Sequence, residues 1–115
     1  MKQKIFEEIK EIIKKEKLDI DLKQNEKYIV KEFQDKVDWY NISHYQKLSE
    51  SFIREFQDKV DWSRISIHQI LSESFIREFQ DKVEWELINK NKKIIKTKKF
   101  QELINRELLI GVLKK

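Results

Sequence analysis

The sequence predicts an all-α protein, and three observations carry that expectation. Residues 48–60 recur letter for letter at 71–83, a spacing of 23 positions. Within the copies, apolar residues fall at helical rather than strand spacing. Proline is absent and Gly111 is the only glycine, so the chain lacks the breakers and positive-φ turns that a β-sandwich or barrel uses. A third copy lies upstream, where residues 31–39 match 54–62 except at Lys31, which replaces Arg54. The expected architecture is a short α-solenoid of about three 23-residue helix-pair repeats with N- and C-terminal capping helices. It would form a single domain over residues 1–115: the N-terminal cap in 1–27, the repeats in 28–93 and the C-terminal cap in 94–115.

The first element is expected at residues 2–17, where Ile5, Phe6, Ile9, Ile12 and Ile13 make one apolar stripe and Glu and Lys fill the other face. Ile5, Phe6, Ile9 and Ile13 share the offsets of Phe52, Ile53, Phe56 and Val60. The segment therefore reads as a degenerate repeat serving as a cap. Residues 18–24 are too short to assign, and Asn25 suits an N-cap.

Each copy then lines up its apolar positions: Ile29/Phe52/Phe75, Val30/Ile53/Ile76, Phe33/Phe56/Phe79, Val37/Val60/Val83, Trp39/Trp62/Trp85 and Ile42/Ile65/Ile88. The first four positions of the series predict a helix of roughly ten residues. Ser49 and Ser72 would cap it, and Glu50 and Glu73 would favour the positive end of its dipole. Arg54/Asp58, Glu55/Lys59, Arg77/Asp81 and Glu78/Lys82 are spaced to pair along one exposed face. Asp38 and Asp61, with Glu84 as a poorer substitute, would open a second helix of roughly eight residues. Helices this short are marginal alone, so the copies should stack. The last helix is expected after Thr97, with Phe100, Leu103, Ile104 and Leu108 inward and Gly111 near its end.

The Phe-Ile-Arg-Glu-Phe-Gln-Asp-Lys-Val-Asp-Trp core with Ile-Ser and Gln-x-Leu-Ser-Glu resembles short tandem repeats of some giant-virus, phage and bacterial mobile-element proteins. Small repeat-built phage proteins in turn resemble inhibitors of host defence, including anti-CRISPR proteins. That resemblance implies a protein that blocks a host defence nuclease sterically, in the host cytoplasm if the chain is phage-derived.

No enzyme chemistry is legible. There is no cysteine, no glycine-rich phosphate loop and no elbow around Ser49, Ser51, Ser72 or Ser74. The carboxylates interleave with Lys and Arg as a solvated face would. His44 aligns with Ile67 and His68 with Tyr45, so no ligand spacing repeats, and both read as surface histidines. No metal or cofactor is expected. Nor is a membrane span, since no apolar run approaches the ~18–20 residues required, and a cytoplasmic protein is the default.

Two partner surfaces are expected. Tyr40, His44 and Tyr45 in one copy, with Arg64 and His68 in the next, sit where the second helices differ between copies, as a protein-binding face would. The tryptophans, which recur, read as core between copies. Charge is also uneven: residues 1–89 carry −3 and residues 90–115 carry +7, together the +4 of the whole chain. Lys90, Lys92, Lys93, Lys96, Lys98 and Lys99 form a basic patch that reads either as a solvated hinge or as a site for nucleic acid or an acidic protein face. Near-identical copies also leave self-association open.

Overall fold

The computed structural model describes residues 1–114, which hold eight helices and no strand. They are α1 (Gln3–Lys15), α2 (Glu26–Lys36), α3 (Trp39–Tyr45), α4 (Glu50–Glu55), α5 (Trp62–His68), α6 (Glu73–Glu78), α7 (Trp85–Lys90) and α8 (Lys98–Leu113). Local chemistry starts most of them. Asn25, Ser49, Ser72 and Thr97 each accept from the backbone N–H three residues on, at 2.9–3.2 Å. Asp38 and Asp61 do the same for Asn41 and Arg64, at 3.0 and 3.1 Å. Glu84 makes no such bond ahead of α7, as its longer side chain leads one to expect. At the other end of α1, Lys17 takes φ 53°. Its left-handed turn lets the Leu18 N–H reach the Ile13 carbonyl at 3.0 Å, ending the helix.

Three local expectations are corrected. The first helix of the second and third copies has six residues, not about ten. It stops at Phe56, where the Lys59 and Val60 N–H groups both turn back to the Phe56 carbonyl. The carbonyls near this break find side-chain donors: the Gln57 amide donates to Arg54 O at 3.0 Å and the Trp62 indole to Gln57 O at 2.9 Å. With those groups satisfied, the interruption costs little. Because Asp58 and Lys59 lie beyond the break, Arg54 and Glu55 do not meet them along a helix. Arg54 instead pairs bidentately with Glu78 of the next copy, at 2.9 and 2.8 Å, and Lys82 reaches back to Asp58 at 3.5 Å. Finally, Gly111 lies inside α8 with no positive φ, so it does not terminate the helix.

A single cluster of buried residues runs from Ile5 to Ile104. Phe33, Phe52, Phe75 and Phe100 are its largest fully buried side chains. Each would cost about 3–5 kcal/mol on truncation to Ala. Trp39 and Trp62 bridge neighbouring copies. Trp39 packs on Phe52 and Phe56, with ring centroids at 6.3 and 5.4 Å, and Trp62 repeats this on Phe75 and Phe79 at 6.4 and 5.3 Å. All three tryptophans are only half-buried.

Helix α3 packs on α5, α5 on α7 and α7 on α8, while α1 packs on α2 and α4. The molecule measures 50 × 27 × 21 Å, with a radius of gyration of 16.0 Å. A compact globule of this length would have about 13 Å, so the chain is elongated.

Buried polar groups join the second helices. The Gln69 side chain, 3% exposed, donates to the Ser43 and Gln46 carbonyls at the end of α3, both at 2.8 Å. Its Oε1 accepts from the Leu48 N–H at 3.0 Å. One copy later the Asn91 amide donates to the Ser66 and Gln69 carbonyls at 2.8 and 2.9 Å. The fully buried Ser43 and Ser66 hydroxyls accept from the Asp61 and Glu84 N–H groups. A second, exposed series links the first helices, as Glu8 and Glu50 accept from the backbone and hydroxyl of Ser49 and Ser72.

Truncating Gln69 to Ala should therefore leave one carbonyl and one N–H buried without partners and a second carbonyl partly so, lowering the unfolding free energy by about 2–4 kcal/mol. Truncating the exposed Arg54 should leave the urea midpoint nearly unchanged, since surface ion pairs contribute little. Urea unfolding of both variants against the parent measures the contrast.

Candidate interaction surface

The residues that differ between copies come together along the outer side of α3 and α5. Because α5 packs on α3, Arg64 reaches back over Tyr40, with its guanidinium carbon 5.5 Å from the ring centre, a cation–π distance. His44 stacks on Tyr45 at 4.0 Å and on His68 at 3.9 Å, the planes tilted by 27° and 28°. Tyr40 closes the group, tilted 6.0 Å from His44. All five residues expected to contact a partner thus form one connected cluster. Tyr40 and Tyr45 are 52% and 72% exposed, whereas His44, Arg64 and His68 are half-buried.

The histidines are not ordinary surface side chains. Alignment sets His44 opposite Ile67 and His68 opposite Tyr45, but the stack pairs one helical position with the next position of the following copy. His44 Nδ1 and Arg64 Nε are buried without hydrogen-bond partners. Burial pushes the His68 imidazole below its ordinary value, and His44, Arg64 and Lys93 push it the same way. Among the described residues, no group of three His, Cys, Asp or Glu side chains could hold a metal ion. No helix among them is long and apolar enough to cross a membrane.

The basic patch divides into two kinds of lysine. Lys93 donates to the His68 carbonyl at 2.9 Å, tying the segment between α7 and α8 to the end of α5, and Lys96 donates within the segment to the Asn91 carbonyl at 2.6 Å. Lys90 pairs with Glu86 at 3.5 Å. Lys92, Lys98 and Lys99 are exposed, and the last two stand in the first turn of α8, at the positive end of its dipole.

Sequence reasoning missed the carbonyl-closing role of Gln69 and Asn91. Its signal was present: Gln46 and Gln69 recur at the same offset, a polar residue kept where the second helix ends.

His68 gives the fold a pH dependence of definite sign. With its folded pKa below the unfolded value near 6.5, the unfolded chain binds more protons in that window. The His68 contribution is intact above about pH 6.5 and is lost as pH falls below it. Urea midpoints compared at about pH 7.5 and 5.5 should drop more for the parent than for His68→Gln. No family model, curated protein or solved structure matches the chain.

Proposed function

We propose that the chain is a short α-solenoid of about three 23-residue repeats, with α1 and α8 as capping helices, and that it acts without catalysis by binding another protein along the α3–α5 strip. Support for the solenoid comes from elongation, from Trp39 and Trp62 making the same contacts one copy apart, and from the recurring amide closure of α3 and α5.

One observation carries the binding reading. Side chains that vary between copies form one connected cluster on α3 and α5, with Tyr40 and Tyr45 exposed, while the recurring apolar side chains fill the core. Exposed tyrosines beside an arginine are the residue types that dominate binding energy at protein interfaces. The class of partner, a host defence nuclease blocked sterically, is proposed on the repeat resemblance.

Affinity capture from the native host tests the strip. The Tyr40→Ala, Tyr45→Ala and Arg64→Ala variants should each recover at least about tenfold less of the protein the parent captures, with far-UV circular dichroism unchanged. Equal recovery by all three would place the contact elsewhere.

A second reading has one observation in its favour. Lys98 and Lys99 oppose the α8 dipole, an arrangement that a bound phosphate backbone would relieve. If nucleic acid binds here, Lys92→Gln, Lys98→Gln and Lys99→Gln together should lower the log–log salt slope by about 2–3. Absence of any binding to single- or double-stranded oligonucleotides at low salt removes this reading.

A further inference from the structure

The ends of α3 and α5 and the start of the segment after α7 enclose a cleft of about 130 Å³. We propose that this cleft takes an aspartate or glutamate side chain from an acidic segment of the protein partner. The inference rests on the protein-binding reading above and names the chemistry at its centre.

The lining supports an anion. His44, Lys47, His68 and Lys93 offer nitrogens, Tyr45 and Ile70 supply walls, and no carboxylate lines the cleft. Glu16, which accepts from the neighbouring Gln46 amide, is already engaged by Asn41 as well, at 3.2 and 3.0 Å. Lys93 uses one ammonium hydrogen on the His68 carbonyl and keeps two more to donate. The His44 Nδ1 has no partner but is itself buried, so the open donors at the cleft are those of the two lysines.

Size narrows the ligand. A drug-sized molecule or a nucleotide needs about 300 Å³ or more, whereas a single carboxylate side chain fits the smaller space. The walls point to a carboxylate carried on a polypeptide, because Tyr40 and Tyr45 stand exposed beside the cleft to pack against flanking residues.

Protonation follows from the same geometry. The groups that bear on His68 are His44 on α3, Arg64 on its own helix and Lys93 beyond α7. Burial disfavours the imidazolium first, and these neighbours add to it. A bound carboxylate would oppose them and favour it, so binding should take up protons and tighten as pH falls toward 6.

The probe is an acetylated hexaglutamate peptide titrated at low salt into the full chain, followed by ¹H–¹⁵N NMR, with hexaglutamine and a six-nucleotide oligothymidylate for comparison. Hexaglutamate should shift the amides of residues 44–47, 68–70 and 93. Its binding should tighten several-fold between about pH 7.5 and 6, an effect lost in His68→Gln. Lys47→Glu, a change at an exposed side chain outside the core, should weaken binding by about tenfold. Equal binding of hexaglutamine, indifference to Lys47→Glu, or tighter binding of oligothymidylate at the same amides would each overturn the proposal. If hexaglutamate leaves the cleft untouched while the parent still captures its partner through Tyr40 and Tyr45, the carboxylate site is wrong and the binding strip stands.

Discussion

Gln69 closes the end of a helix that lies one copy before it in the chain. Short helices have a general difficulty, since their last turn carries carbonyls with no partner inside the helix. In α3, seven residues long, those groups are a large share of the backbone. The Gln69 amide donates to the Ser43 carbonyl and to that of the C-cap residue Gln46, and its oxygen takes the Leu48 N–H. Three bonds on one side chain, two of them buried, thus fix the α3 end, the entry to α4 and the α5 end against each other. Neither α3 nor α5 could keep its terminus buried without its neighbour, which makes the copies interdependent as well as adjacent.

The same constraint shapes the third copy. Helix α7 is one residue shorter than α5, so the closing residue falls at 91 rather than 92. Asn91 has one methylene fewer than Gln69, yet its amide reaches the Ser66 and Gln69 carbonyls at similar distances. Its oxygen takes the Lys93 N–H at 2.8 Å, and Lys96 binds its carbonyl. The lysine-rich segment before α8 is therefore organised around Asn91. Part of what reads in the sequence as free positive charge is engaged with the backbone.

What the sequence made legible was chemistry confined to a few neighbouring residues. The caps at Asn25, Asp38, Ser49, Asp61, Ser72 and Thr97 follow from one side chain and the N–H three residues on. The core positions follow from periodicity, and the division of each copy into two helical segments from its two cap positions, although the segment lengths do not. Contacts between copies were hidden for separate physical reasons. Arg54 meets Glu78 because the helix breaks at Phe56, and nothing in the apolar pattern marks that break. Asn91 lies 22 positions after Gln69, so strict alignment pairs Gln69 with Lys92 and conceals the shared role. His44 and His68 are unrelated within a copy, and their stack appears only once α5 lies against α3 with an offset of one position.

Variation on the α3–α5 strip is tolerable because stability is generated elsewhere. Ile42, Ile65 and Ile88 bury one side of the second helices, and amide and hydroxyl bonds hold their ends through main-chain groups. Main-chain groups are the same whatever side chain a residue carries, so the outer positions can change without disturbing the closure. That freedom allows Tyr40, Asn41, His44 and Tyr45 in one copy and Ser63, Arg64, Ile67 and His68 in the next. It also allows the strip to hold groups that a purely structural surface would avoid. Two buried nitrogens lack partners, and an imidazole is placed where its neighbours oppose its charge. Such features lower stability on their own account. A fold held by buried, backbone-directed bonds can carry them, which is why the least satisfied part of the molecule is where a partner is expected.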